Sequence, residues 1–171
     1  MLKKIIIAVA LIMPLSLTAQ ELKFGHLNKE ALIKAMPEAQ KAQKELEDFL
    51  LKKKTEGEKM EAQLKLDFDA YMKEAETLDE AIRQTREEKL QLQQENLRVF
   101  AQNAEKELAL KQQELMLPIE KKIYDAINKV GEEQGLIYIF DDQMPLFINK
   151  AKSIDVLESV KSVVNAPAVK K

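Results

Sequence analysis

The chain has 171 residues with 33% charged and 5% aromatic side chains, no tryptophan and a formal net charge of −2. It has no cysteine, which excludes a disulfide framework and a lipidated-cysteine anchor. The slightly acidic balance removes any electrostatic case for nucleic acid, and the weight of Ala, Leu, Glu, Lys and Gln belongs to long helices and coiled coils.

Residues 1–19 predict a secretory signal peptide. Lys3 and Lys4 start it, Ile5 to Leu17 is apolar apart from Pro14 and Ser16, and Thr18-Ala19 offers a small-residue cleavage site before Gln20. The apolar run is shorter than the roughly 20 residues a membrane span requires. A retained anchor is the alternative. Beyond Ala19 the chain carries 25 Lys+Arg against 29 Asp+Glu, a formal charge of −4.

Leu22 to Leu27 predicts a short strand, and Asn28 suits the cap of a helix over Lys29 to Met36. Pro37 suits the first position of a new helix. From Glu38 to Glu76 apolar residues recur at steps of three and four, the mark of one helical stripe. Thr77-Leu78-Asp79-Glu80 then reads as a capping box, with Thr77 the cap and Glu80 its reciprocal partner. A second long helix follows from Leu78 through Pro118 to the glycines at 131 and 135. Pro37 and Pro118 are equidistant from a midpoint between Thr77 and Leu78. The spacing therefore predicts an antiparallel hairpin with arms of about 40 residues, about 60 Å long at 1.5 Å per residue.

Gly135 onward predicts a small β-hairpin: Leu136–Phe140 and Leu146–Ile148, split by Asp141-Asp142. Ser153 then caps a last helix to Val164, and residues 166–171 read as a flexible tail. The fold class is α+β, mainly α: a long helical hairpin at 37–117 with its tip near 77, on a small β body from 20–36 and 118–165. Three short strands cannot bury an apolar strand on both faces, so the body calls for several copies sharing one core. The candidate assembly residues are Phe24, Leu136, Ile137, Ile139, Phe140, Leu146, Phe147 and Ile148. A monomeric or dimeric coiled coil with a small cap is the alternative.

The ordered set of leader, short strand, Asn28-capped helix, charged hairpin and "GLIYIFDDQMPLFINKAKSIDVLESV" resembles the Skp/OmpH family of periplasmic chaperones for outer-membrane proteins. That resemblance implies a homotrimer with a shared β body. Three helical arms would hold unfolded outer-membrane β-barrel proteins without ATP and keep them from aggregating. It also implies a periplasmic location, as the leader does; no cofactor and no enzymatic activity are expected, because no motif for either stands in the sequence. The chain departs from the family's best-known, strongly basic members, because residues 37–117 hold 14 Lys+Arg against 19 Asp+Glu. Peripheral contact with membrane or lipopolysaccharide therefore has no residues assigned to it.

Several positions invite a functional reading beside a plain one. Lys52-Lys53-Lys54 suits acidic clients or a solvated face. Gly57, in a polar gap and expected opposite Arg98, suits a hinge or a tolerated glycine. Leu51, Met60, Phe68 and Met72 suit client contact, although Met60, Phe68 and Met72 also fit the helix seam. His26, the single histidine, has no partners at metal-ligand spacing, and no phosphate loop, nucleophile elbow or triad is present. The competing function is a structural or adaptor coiled coil of the cell envelope that binds one folded partner.

Overall fold

A computed structural model describes residues 22–166. The predicted leader, and all of the predicted tail beyond residue 166, lie outside them. The elements run β1 (Phe24–Leu27), α1 (Lys29–Ala35), α2 (Pro37–Glu74), α3 (Glu80–Gln134), β2 (Tyr138–Asp141), β3 (Ser153–Asp155) and α4 (Leu157–Asn165). Among the described residues no helix is long and apolar enough to cross a membrane.

Local chemistry sets most of these boundaries. Asn28 caps α1 by accepting from the Ala31 amide at 2.7 Å, while its own amide donates to Asp142 at 3.0 Å. Pro37 opens α2 where its missing N–H has no helical partner to lose. α3 runs through Gly131 and stops at Gly135, whose φ of 62° is the left-handed conformation a glycine adopts without a Cβ clash.

The chain doubles back as the spacing predicts, but the tip is capped differently. Asp79, not Thr77, is the cap of α3, and its carboxylate accepts from the Ala81 amide at 3.0 Å. The Thr77 hydroxyl instead donates to the Glu74 carbonyl at 2.9 Å, closing the end of α2. Glu80 pairs with Arg83 rather than reaching back. Two residues able to cap stand close together in the five-residue connection 75–79, and the carboxylate next to the helix start takes the role, where the helix dipole favours it. Asp79→Ala is expected to destabilise the tip by about 0.5–2 kcal/mol, a typical cap loss. Faster amide exchange confined to residues near 75–85 would register it, and unchanged exchange there would contradict it.

Cross-seam pairs fix the register of the hairpin. Lys111 reaches Glu45 at 2.6 Å, Lys53 reaches Glu107 at 2.6 Å, Lys89 reaches Asp67 at 2.9 Å, Arg86 reaches Glu74 at 2.7 Å, and Lys122 pairs with Glu38. These pairs centre on residues 78–80, a little beyond the midpoint set by the prolines. Pro118 consequently lies about one helical turn along the arm from Pro37 and lines a groove with Lys41 and Ala42.

The body departs from the predicted β-hairpin. β1 is the central strand, and both β2 and β3 pair with it in parallel, Phe24 opposite Tyr138 on one side and Ser153 on the other. Parallel neighbours need a crossover, and residues 142–152 supply the one between β2 and β3. Leu146–Ile148 lies in that crossover and is not a strand. The third strand is the polar Ser153–Asp155, predicted as the start of the last helix, which instead begins at Leu157. Apolarity did not select the strand. The free ladder edge of β1 did, and Ser153–Asp155 meets it through its backbone.

One face of the sheet packs on helices. Gly25 of β1 lies so close to Leu136, Ile139 and Val156 that an added Cβ would fall 2.8 Å from the Leu136 side chain. The core joins Leu32 and Met36 to Val130, Val156, Val160 and Val164, all essentially without exposed surface. The arm contributes little to it. Beyond the root of the hairpin, Leu90 is the one buried apolar side chain of the arm among the described residues.

Candidate assembly face and helical arm

The second face of the sheet is where the sequence expectations converge. Phe24 and His26 point the same way as Tyr138, Phe140 and Ser153, because register partners in adjacent strands share a face. Phe24 stacks on Tyr138, with ring centroids 6.3 Å apart, and Tyr138 leans on Phe140 at 5.9 Å. His26 is buried, and its Nδ1 lies 2.8 Å from the Ser153 hydroxyl. The crossover folds over this row and leaves a groove of about 260 Å³ lined by Phe24, His26, Phe140, Phe147 and Ile148.

The eight predicted assembly residues do not all lie on this surface. Leu136 and Ile139 pack against the chain's own core. Ile137, Phe140, Leu146 and Phe147 are exposed, and Phe24 and Ile148 are half-buried. Leu146 is fully exposed and Phe147 is 81% exposed, beside Met144 at 81%. Tyr138 belongs to the same apolar face and was missed, as was the exposed Met144 of the crossover. Tyr138 was visible as the residue alternating with Ile137 and Ile139, while Met144 carried no periodic signal.

Along the arm, the polar stretch after Leu51 is not a break. Lys53 turns into the seam, one-fifth exposed, with Glu107 at 2.6 Å and Glu56 at 3.8 Å. Its ammonium sits 5.5 Å from the Phe49 ring centroid and 5.7 Å from that of Phe100, a cation–π sandwich. Lys52 and Lys54 remain on the solvated face, so the lysine run divides. Gly57 faces Phe100 rather than Arg98, and an added Cβ would come 3.3 Å from that ring. α2 passes through Gly57 without interruption. The close approach of helix and ring gives the glycine a packing role.

Of the client-contact candidates, Met60 is half-buried in the seam, as is Tyr71, whose hydroxyl donates to Glu87. Leu51, Phe68 and Met72 are exposed, as are Leu66, Ile82, Leu92 and Leu110. Phe68 and Met72, which fit the helical stripe by sequence, are not seam residues: the seam follows the half-buried positions 53, 57, 60, 64, 67 and 71, one residue out of phase with them.

Charge pairs at the seam are expected to make the arm acid-sensitive. The Asp67 carboxyl is held below its ordinary range by the Lys89 ammonium first, then by the amides of Gln93 and Gln63. Glu38 is lowered likewise by Lys122 and a backbone N–H. Carboxyls lowered in the folded state give stability that is complete above the unfolded value of about 4 and is lost as pH falls through the folded values. Thermal melts are expected to be flat near neutrality and to drop below about pH 4. Asp67→Asn should flatten part of that drop, and an unchanged acid limb would contradict the assignment.

Among the described residues no group of His, Cys, Asp and Glu is placed to hold a metal ion. The geometry defines a class: an arm of two paired helices rooted in a small α+β body, with an apolar sheet face beside the root. The chain belongs to the OmpH-like outer membrane protein family, which matches residues 23–163. It is 25% identical over 141 residues to the chaperone protein Skp of Pectobacterium atrosepticum, covering 81% of this chain and 86% of that protein. A crystal structure of an OmpH-like outer membrane chaperone from Caulobacter crescentus shares the fold, with a TM-score of 0.74, 13% identity and 84% of each chain covered.

Proposed function

We infer that the chain is an ATP-independent holdase of the periplasm that binds unfolded outer-membrane β-barrel proteins and keeps them from aggregating. Family membership and the likeness to a Skp chaperone support the chaperone role. The observation that carries the mechanism is the apolar body surface of Tyr138, Phe140, Met144, Leu146 and Phe147, left open in a single chain at the root of the arm. So many large apolar side chains exposed on one small body suit an interaction surface. Cyclic assembly would bury it in each copy and set the arms side by side around a cavity.

Three copies is the number the family resemblance implies. Sequestration needs no nucleotide. Binding the unfolded client in preference to its aggregates holds it by mass action until folding into the membrane competes. The test is light scattering of a urea-unfolded outer-membrane barrel protein diluted into buffer. Suppression without ATP, saturating near one assembly per client, is the expected result. Undiminished scattering, together with saturable binding to one folded envelope protein, would favour the adaptor reading instead.

A further inference from the structure

α3 carries an aligned apolar row on the side away from its seam. Leu92, Val99, Leu110, Leu117 and Tyr124 are 39–65% exposed. They stand seven or eleven residues apart, which returns each to within about 20° of the one before on a helix of about 3.6 residues per turn. The row runs for about 48 Å along the arm and its root. The seam side of α3, with Leu90 buried and Leu97, Phe100, Ala104 and Leu108 half-buried, lies about 150° around the helix from it. A helix with one partner keeps its back polar, so an apolar row there calls for a second partner. The exposed apolar residues of α2, among them Leu50, Leu51, Leu66 and Met72, form no such row and spread over about 160° of that helix. Between the apolar residues of the α3 row, at steps of three and four, stand Asn96, Asn103, Lys106, Gln113 and Glu120, all exposed.

We propose that this back face of α3 docks extended apolar segments of unfolded polypeptide, and not a helix of a second copy or of a folded partner. The inference rests on the holdase reading above and names the face of the arm that meets the client. A coiled-coil partner requires apolar residues at both seam positions of each heptad. Here one position of each pair is polar, and a packed seam would bury Lys106, Glu120 and three side-chain amides. An extended client has other needs. Its backbone is free to bridge the gaps of about 10.5 or 16.5 Å between apolar points. Its unpaired N–H and C=O groups find both donors and acceptors in Asn96, Asn103 and Gln113. Several weak points on one rod add by multivalency, so none of them demands a fixed client sequence.

The test places the photo-cross-linker p-benzoylphenylalanine at Val99 or, separately, at Leu66 in the protein without its first 19 residues. Each form is mixed with a urea-unfolded outer-membrane barrel protein diluted into buffer, and irradiated. Position 99 should cross-link to the client about fivefold more than position 66. Leu92→Ser/Leu110→Ser should weaken client binding about tenfold, and Leu50→Ser/Leu66→Ser by less than about twofold, because all four leucines are exposed and only the first pair lies on the row. Size exclusion with light scattering should give both variants the mass of the unsubstituted protein. Equal cross-linking of client at the two positions, or equal weakening by the two leucine pairs, overturns the proposal. Cross-linking of position 99 to another copy of the chain, or a changed mass for Leu92→Ser/Leu110→Ser, makes the row an interface between copies and overturns it too. The aggregation assay on the same preparations separates the two readings. Suppression of aggregation without preference for position 99 removes only this inference, and loss of both suppression and cross-linking removes the holdase reading as well.

Discussion

Leu146→Asp combined with Phe147→Asp is expected to leave each chain folded and to separate the copies. Both side chains are exposed in the single chain and lie outside its core, so the substitutions remove nothing the lone fold depends on. In an assembly that covers them, each buried side chain of this size contributes about 1.5–3 kcal/mol. Two such losses per chain, repeated in every copy, together with carboxylates forced into an apolar interface, exceed what a modest interface can absorb. Light scattering coupled to size exclusion should report monomers, and circular dichroism should report unchanged helix. Client protection should fall with assembly, because a solitary arm encloses nothing. An intact oligomer would place the interface elsewhere on the body.

Leu32→Ala tests the opposite face of the same body. Leu32 is completely buried, and it joins α1 to the valines of α3 and α4. Removing it leaves a cavity in a core that few other side chains can refill, at a cost of about 2–5 kcal/mol. The melting temperature should fall by roughly 5–15 °C for a chain of this size. Exposed Leu92 serves as the comparison, since Leu92→Ala should change stability little. Equal effects at the two positions would contradict the placement of the core in the body.

The reversal of the chain was legible because helix periodicity, a polar turn and two prolines agree over 80 residues. The register was off by a residue or two because prolines mark where helices can begin or bend, whereas the seam is set by side-chain pairs such as Glu45–Lys111. Lys53 misled for a related reason. A lysine reads as solvent-facing, yet its stem fills the seam while two glutamates and two rings hold the ammonium. The body was the least legible part. Two apolar bursts separated by a turn are the usual sign of a hairpin, and sequence carries no direct mark of parallel pairing to a strand more than a hundred residues earlier. The short polar strand Ser153–Asp155 has no pattern of its own. It exists because β1 presents an unpaired edge beside it.

We propose that several copies complete one body and hold one client between their arms. Native mass spectrometry of the protein without its first 19 residues, alone and with a urea-unfolded outer-membrane barrel protein, measures this directly. The expected masses are three chains, and three chains with one client. A single chain that ignores the client would contradict the account.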